Sequence, residues 1–256
     1  MRKHYTRACN FYHGAKATNL INKGLALTLC GNKNIAFDNI EILTRDKKTQ
    51  LINIKNIKKL PDKIKKIVLK DLKNIVSKRK KLNKNSSISK PLIMGILNLT
   101  PDSFSDGGLY VKSNKAFTHI NNMISKGVDI IDIGGESTRP GSKEIPHKIE
   151  WRRLKKIIVN FKKKFPKIFL SIDTRKSEVM LKAIKNKCNL INDVSGFNYD
   201  LEAIDKIKNF NVWKVLHHMQ GTPNTMQIKP TYKNVLLDVY DFFEKKINTD
   251  FKKFKY

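Results

Sequence analysis

One stretch, residues 91–142, constrains the fold of this chain more than any other. It contains two apolar segments rich in β-branched residues, 91–98 and 128–133, separated by a helical interval and each followed by a polar, glycine-rich loop. This pattern predicts a βαβ unit, whose two parallel strands end at the same edge of a sheet. Because ligands of parallel α/β sheets bind beyond the carboxyl ends of the strands, we expect the first functional residues in these two loops.

The alternation of strand and helix continues along the chain and predicts an α/β protein. Strands are expected near 92–98, 128–134, 168–173, 189–193 and 212–217, and helices near 113–126, 147–164, 176–187, 200–209 and 232–249. The predicted strands are nearly continuous apolar runs, as parallel strands covered on both faces must be. Five consecutive βα units fit either a barrel or a doubly wound open sheet, and spacing alone does not separate the two.

Residues 1–90 are predicted to form a basic N-terminal segment, separate from the α/β part in residues 91–256. They carry 23 basic and five acidic side chains, within a chain whose formal net charge is +30. A field of this sign attracts nucleic acid and acidic lipid. Lysine is nevertheless scattered through every segment, which favours a compositional bias, and no basic motif interleaved with aromatic residues supports a nucleic-acid partner.

Within the N-terminal segment, helical periodicity is clearest over 61–82, where apolar residues recur opposite lysines. Such a basic amphipathic helix fits a membrane surface or nucleic acid, but more often packs on a neighbouring domain. The residues that follow it, 83–90, are predicted to be a linker. Upstream, a short helix and then a strand are expected within 20–29, and 35–43 is expected to be extended.

Cysteine content and hydropathy bear on the cellular compartment. Cys9, Cys30 and Cys188 are too few and too far apart for a disulfide framework or a zinc site, so free thiols are expected. No apolar run approaches the length of a membrane span, and the N-terminus lacks the apolar core of a secretory signal. The sequence therefore predicts a cytoplasmic protein with no membrane partner.

Polar side chains follow every predicted strand and should lie on one rim of the sheet. The arginine of Thr138-Arg139 can hold a phosphate by charge-assisted hydrogen bonds. Asp173 and Asn192 offer acceptors and a donor, which suits a heterocycle with an amino and a lactam edge. Asn98 is an oxygen ligand suited to Mg²⁺ bound to a phosphate.

Structural roles compete with these assignments. Asp173 also fits a helix N-cap, Asn192 a cap at its strand end, and Phe104 a buried anchor of its loop. His217 and His218 are adjacent on a strand and point to opposite faces, so they cannot chelate one metal together. The lack of triad spacing or a Cys–His cluster favours positioning and electrostatics over covalent catalysis.

Five segments, in order, resemble the signature motifs of dihydropteroate synthases. The longest, beginning at Met94, reads Met-Gly-Ile-Leu-Asn-Leu-Thr-Pro-Asp-Ser-Phe-Ser-Asp-Gly-Gly, and the others lie at 131–141, 171–179, 191–196 and 218–223. The resemblance implies a (β/α)8 TIM barrel, of which five βα units are recognised. It also implies the family's reaction, in which 4-aminobenzoate displaces pyrophosphate from 6-hydroxymethyl-7,8-dihydropterin pyrophosphate to give 7,8-dihydropteroate for folate biosynthesis.

The resemblance assigns roles residue by residue. Pyrophosphate and its Mg²⁺ are assigned Asn98, Thr138 and Arg139, of which Asn98 and Arg139 are the predicted catalytic residues and Asn98 the metal ligand. The pterin is assigned Asp173, Asn192 and His217. The loop that closes over the site and the 4-aminobenzoate pocket are assigned Ser103, Phe104 and Pro140. The implied mechanism is dissociative, with the amine attacking a cationic pterin.

Two departures from the family pattern matter. His217 stands where the family often places a methionine against the pterin. The family's later motifs, an Asp-Pro-Gly segment, a Ser-Arg-Lys segment and a terminal Arg-x-His, are not found in this sequence. Five strands alone leave two unpaired parallel edges, so a homodimer, a complementing chain or residues 1–90 are the candidates to cover them. Two hypotheses stay open: an active synthase, and an inactive remnant that binds pterin or phosphate.

Overall fold

The computed structural model describes residues 4–45, 47–79, 82, 91–100, 109–137, 142–222 and 225–250. The chain divides into two compact units. One comprises Met1–Lys90 and Asn234–Asp241, and the other comprises Pro91–Lys233 and Phe242–Tyr256.

The first unit is an antiparallel sheet with helices packed on it. Its elements are β1 (Tyr5–His13), α1 (Gly14–Asn22), β2 (Leu27–Leu29), β3 (Asn32–Leu43), β4 (Gln50–Asn53), a 3-10 helix (Ile54–Lys59) and α2 (Asp62–Val76). The long strand β3 pairs with β1, β2 and β4. Phe37 and Ile40 of β3 are buried together with Val68 and Leu72 of α2. The apolar stripe of α2 therefore packs inside its own unit.

Both helices of this unit differ from the sequence prediction. α2 ends at Val76 rather than at 82, because the carbonyl of Ile75 accepts a hydrogen bond from the Cys30 amide (2.8 Å) and the next residue, Ser77, is extended. α1 begins at Gly14, before the predicted 20–29, and its Ala17 packs with Ala36 of β3, where small side chains permit a close approach. The predicted linker 83–90 lies outside the described residues.

Residues Asn234–Asp241 group with the first unit through polar contacts. The Tyr5 hydroxyl donates to the Asp241 carboxylate at 2.8 Å, and its ring meets Tyr240 edge to face. Arg45 forms ion pairs with Asp238 and Asp241, and these hydrogen bonds raise the pKa of the guanidinium. Sequence patterns did not indicate this grouping, since the hydrogen-bonded partners are 193 to 236 residues apart.

The second unit alternates strands and helices, as predicted. Its elements are β5 (Met94–Asn98), α3 (Leu109–Ser125), β6 (Ile130–Gly134), α4 (His147–Lys164), β7 (Phe169–Asp173), α5 (Ser177–Lys185), β8 (Leu190–Asp193), α6 (Ala203–Ile207), β9 (Trp213–Leu216) and α7 (Val235–Thr249), of which α7 also contributes its first residues to the first unit. The α6 helix is shorter than the predicted 200–209. Asp200 lies outside it because its carboxylate accepts from the Ser177 and Glu202 amides.

The five parallel strands lie in the order β5-β6-β7-β8-β9. A doubly wound sheet reverses its order at a switch point, whereas a barrel keeps sequential neighbours. The observed order is therefore that of the predicted barrel type. Among the described residues β5 and β9 are each paired on one side only, so the sheet is not closed into a full barrel.

The two faces of this sheet differ in chemistry. On one face Leu97, Ile133, Ile172 and Ile191 are buried against the helices. On the other face the strands carry polar residues towards their carboxyl ends, while Ile96 is 63% exposed. This second face is where a ligand can reach the strand ends.

The described residues also bear on the predicted compartment. No helix in the described part of the chain is long and apolar enough to cross a membrane. Cys9, Cys30 and Cys188 are free thiols, as expected. Burial raises the pKa of the Cys188 thiol to about 12, so it behaves as a core residue rather than as a nucleophile.

Candidate active site

Three predicted site residues lie on one row at the carboxyl edge of the second unit. The strand register pairs Asn98 with Gly134, Gly134 with Asp173, and Asp173 with Asn192. In parallel strands, residues paired in this way point to the same face. Asn98, Asp173 and Asn192 therefore line one surface, with a glycine between the first two.

The glycine pair after β6 meets two separate demands. A Cβ atom on Gly134 would lie 3.1 Å from Asn98 Oδ1 and 3.4 Å from Asp173 Oδ2, so its missing side chain leaves room for both polar groups. A Cβ atom on Gly135 would lie 2.9 Å from Leu154 Cγ of α4, so this glycine permits close helix packing. Gly134 therefore leaves space in the site, and Gly135 allows α4 to pack closely against the end of β6.

Asn192 is held at both ends of its amide. Its Nδ2 donates to Asp132 Oδ2 at 3.0 Å, and its Oδ1 lies 2.7 Å from His217 Nε2. Asp132 is only 4% exposed and Ser171 beside it is fully buried. The Asn192 side chain therefore belongs to a hydrogen-bond network that includes the buried Asp132.

Asp173 is partly exposed and sits among other carboxylates. Burial, and after it the charges of Asp132, Glu150, Asp193 and Glu136, together raise its pKa to about 7. It is not a helix cap, because the residue that precedes α5 is Lys176. A carboxyl group in this state favours a ligand that brings N–H donors or positive charge.

The pKa values of Asp132 and Asp193 are also raised by burial. The hydrogen bond from Asn192 opposes the shift at Asp132, and those from Ser195 and the Phe197 amide oppose it at Asp193. A protonated His217 ring would lower both. Asp132 shares the face of Asn192, so it gives the floor of the site an acidic and poorly solvated group, whereas Asp193 lies on the face of Ile191.

Asp193 shapes the turn that follows β8. Its carboxylate accepts from the Ser195 amide and hydroxyl and from the Phe197 amide, at 2.7 to 3.1 Å. Gly196 and Phe197 both have positive φ, and a Cβ atom on Gly196 would lie 2.5 Å from the His217 carbonyl oxygen. The turn thus presses against the backbone of His217 and fixes its position.

The loop after β6 is anchored by a buried ion-pair network. Lys176 Nζ lies 2.8 Å from Glu136 Oε2 and 2.9 Å from Glu150 Oε2. Glu136 also accepts from Arg175 Nε at 3.1 Å and from the Ile145 amide at 3.0 Å. These groups lower the pKa of Glu136 against the effect of its burial. Both ends of the loop are thereby tied to the segment after β7.

The predicted site residues do not all fall within the described part of the chain. Ser103, Phe104, Thr138, Arg139 and Pro140 lie outside the described residues. The two histidines point to different surroundings, as predicted. His217 contacts Asn192, whereas His218 contacts Tyr232 and Phe242.

Sequence reasoning missed Asp132 as a member of the site. Asp132 shares its face of β6 with Gly134, since the two are separated by one residue. An aspartate inside an otherwise apolar strand, in phase with the strand-end row, is the signal that points to it.

Comparisons with known proteins place this chain in a family. A sequence model of the family described as "Pterin binding enzyme" matches residues 94–252. The dihydropteroate synthase of Haemophilus influenzae is 39% identical over 166 residues, which is 65% of this chain and 60% of that protein. The chain thus spans less than two thirds of this curated relative's length.

Two solved structures are similar in fold and sequence. The Xanthomonas albilineans dihydropteroate synthase with 4-aminobenzoic acid gives a TM-score of 0.56 at 36% identity, covering 64% of this chain and 57% of that one. The Burkholderia cenocepacia dihydropteroate synthase complexed with 7,8-dihydropteroate gives a TM-score of 0.55 at 36% identity, covering 65% of this chain and 55% of that one.

Proposed function

Because this chain belongs to the pterin binding enzyme family, we propose that it serves the dihydropteroate synthase reaction of folate biosynthesis. In that transferase reaction 4-aminobenzoate and 6-hydroxymethyl-7,8-dihydropterin pyrophosphate give 7,8-dihydropteroate and pyrophosphate. The observation that carries the proposal is the row of Asn98, Asp173 and Asn192 above an acidic floor. The free cysteines are consistent with a cytoplasmic location.

Asp173 and Asn192 are the proposed pterin contacts, with His217 beside them. A pterin presents an amino group and ring N–H groups next to acceptors, which matches a carboxylate adjacent to an amide. Asp173 holds its proton up to a pH of about 7 in the ligand-free protein. Donors from the ring stabilise its ionised form, so pterin binding and ionisation of Asp173 support each other.

The same acidic floor suits the chemistry of the reaction. The bond between the pterin methylene carbon and the pyrophosphate oxygen breaks, and the amine nitrogen of 4-aminobenzoate bonds to that carbon and loses one proton. Positive charge develops on the pterin as the pyrophosphate leaves. Asp173 and Asp132 place negative charge in a poorly solvated site, where it stabilises that cation more strongly than in water.

Asn98 is the proposed ligand of a magnesium ion that accompanies pyrophosphate. Its Oδ1 is an oxygen donor of the kind that Mg²⁺ prefers, and it faces the open side of Gly134. No group of three His, Cys, Asp or Glu side chains in the described ranges is arranged to hold a metal ion, which fits an ion held largely by substrate oxygens and water. When bound, the ion would neutralise charge on the departing pyrophosphate.

The remaining roles stay predictions, because their residues lie outside the described part of the chain. Thr138 and Arg139 are proposed to grip pyrophosphate, and Arg139 to act on the leaving group. Ser103, Phe104 and Pro140 are proposed to form the 4-aminobenzoate pocket. The network of Glu136 and Lys176 supports these roles, since it anchors the residues on either side of 138–140.

A second candidate function is pterin binding without turnover by this chain alone. It is favoured by the open sheet, in which β5 and β9 each have one unpaired edge among the described residues. A second copy or a complementing chain that covers these edges is then required for catalysis. The two candidates share the pterin site and differ in turnover.

One assay separates the two candidates. The purified chain is mixed with the pterin pyrophosphate, 4-aminobenzoate and Mg²⁺, and pyrophosphate release is measured. Turnover that is lost in Arg139→Ala and kept in His119→Gln, an exposed site on α3, is the result expected of the enzyme. Pterin binding without release, abolished by Asp173→Asn, establishes the second candidate. Failure of the wild-type chain to bind the pterin at all would overturn both.

Gly134→Ala is expected to weaken ligand binding while sparing the fold. Gly134 does not need a positive φ, so alanine fits the backbone, but its Cβ would displace Asn98 and Asp173. We expect an affinity loss on the order of tenfold for the pterin pyrophosphate, and a change in unfolding free energy below about 1 kcal/mol. Isothermal titration calorimetry and thermal melts check the two parts. A melting point that falls sharply would show that Gly134 is a packing residue instead.

A further inference from the structure

We propose that Asp132 and His217 are positioning residues, which hold the Asn192 amide in one orientation and thereby set which ring edge the site accepts. The inference deepens the proposed function and rests on it. It begins from the chain of contacts Asp132–Asn192–His217, in which one amide is gripped by a different partner at each end.

The hydrogen-bond polarity of this chain is determined by Asp132. An ionised carboxylate only accepts, so the amide must turn its NH₂ group towards Asp132 Oδ2, 3.0 Å away. The amide oxygen then faces His217 Nε2 at 2.7 Å, which requires a hydrogen on Nε2. The contact therefore excludes the Nδ1–H tautomer, whose bare Nε2 would face the amide oxygen.

The anchored amide still has bonding capacity for a ligand. Asn192 is partly exposed, whereas Asp132 is buried beneath it. An amide has two hydrogens and two oxygen lone pairs, of which the network uses one each. One donor and one acceptor therefore remain to meet a heterocycle, in an order that the two anchors determine.

Without both anchors the order of donor and acceptor is not determined. Rotating an asparagine amide by 180° exchanges its oxygen and nitrogen with almost no change in shape. Such a rotated amide would present its donor where the ring also has a donor. A mispaired buried group is costly, which is why sites built on hydrogen bonds discriminate strongly between ring edges.

The position of the His217 ring is itself constrained. The backbone of His217 meets Gly196, where a Cβ atom would come within 2.5 Å of the carbonyl oxygen. The methionine that the family often places here has no N–H to give to Asn192. In this chain the histidine adds an anchor at the oxygen end of the amide.

The test compares pterin with lumazine, which carries a carbonyl in place of the 2-amino group and so reverses one donor on the ring edge. Affinities are measured by calorimetry for the wild-type chain and for Asp132→Asn, His217→Met and His217→Gln. Asparagine at 132 has nearly the shape of aspartate but no fixed polarity, and glutamine at 217 keeps an N–H donor. Asp205→Asn and His119→Gln are the matched surface controls.

The pterin-to-lumazine affinity ratio is expected to fall by about tenfold in Asp132→Asn and His217→Met. In His217→Gln it is expected to stay near the wild-type ratio. A purely structural role would lower both affinities equally and leave the ratio unchanged, which would overturn the inference. Thermal melts show whether each variant folds. If Asp132→Asn does not fold, the affinity ratio of His217→Met tests the inference by itself.

Nitrogen-15 NMR of the His217 ring supplies a readout that needs no ligand. The wild-type spectrum is expected to show a protonated Nε2, and Asp132→Asn is expected to increase the share of the Nδ1–H tautomer. An Nδ1–H tautomer in the wild type would overturn the inference even if pterin binds. If neither compound binds while the Nε2–H signature is present, the proposed function fails and the orientation of the amide is nevertheless established.

Discussion

Asp173→Asn is expected to stabilise the ligand-free protein at pH 8 while removing most of its affinity for the pterin. Burial and neighbouring carboxylates raise the pKa of Asp173 to about 7, from an ordinary value of 3.8. An ionised Asp173 is therefore unfavourable in the folded state, and asparagine removes that charge at almost constant shape. Loss of binding together with a gain in stability is the signature of a residue kept for function.

The pH dependence of this effect has a definite sign. The folded protein holds a proton on Asp173 that the unfolded chain has lost, so the stability due to this proton is complete below pH 3.8 and disappears as the pH rises through about 7. Since one pKa unit corresponds to about 1.4 kcal/mol, the stability difference between the variant and the wild type has a ceiling of about 4 kcal/mol at pH 8. It should shrink towards zero near pH 4.

Urea unfolding at several pH values checks this prediction, with Asp205→Asn as a surface control whose stability difference stays flat. In the wild type, pterin affinity should rise between pH 6 and pH 8, because the ligand binds the ionised carboxylate. A stability difference that did not change with pH would show that Asp173 is already ionised in the ligand-free protein. Unchanged pterin affinity in Asp173→Asn would remove it from the site.

Much of the strand-end row was accessible to sequence reasoning for a simple physical reason. Parallel strands buried on both faces are apolar, so a polar residue that ends such a run marks the point where the chain reaches solvent. Asn98, Asp173 and Asn192 each end a run in this way, and the strand register places them side by side. The barrel-type order of the strands needed the structure, because spacing is the same in both architectures.

The supporting residues were harder to find. Asp132 lies inside Val-Asp-Ile-Ile-Asp-Ile, where its phase with Gly134 favours it over Asp129, but the hydrogen bond to Asn192 that gives it a role is a tertiary contact. Lys176 and Glu150 are 26 residues apart on different elements. Their contact depends on how α4 packs against the sheet, and that is a tertiary property.

Lys176→Met is expected to be the most destabilising single substitution proposed. Lys176 is buried and pairs with both Glu136 and Glu150, whose side chains are 4% and 0% exposed. Removing the ammonium leaves two carboxylates buried without their common partner, a change that costs about 3–5 kcal/mol. Urea unfolding at pH 7 measures it, and pterin pyrophosphate binding should weaken as well, since Glu136 anchors the loop after β6.

Lys206→Met is a matched control, because Lys206 also contacts two glutamates, Glu178 and Glu202, but with side chains that are 45% and 74% exposed. Solvated pairs of this kind contribute about 0–1 kcal/mol.

Adding Glu136→Gln and Glu150→Gln to Lys176→Met should recover part of the lost stability, because neutral amides cost less to bury than unpaired carboxylates. The penalty of Lys176→Met should also shrink at acidic pH, because Glu136, whose pKa the network lowers, takes up a proton there. Equal losses in Lys176→Met and Lys206→Met would show that the buried charge is compensated by other groups, and that the network does not govern the loop.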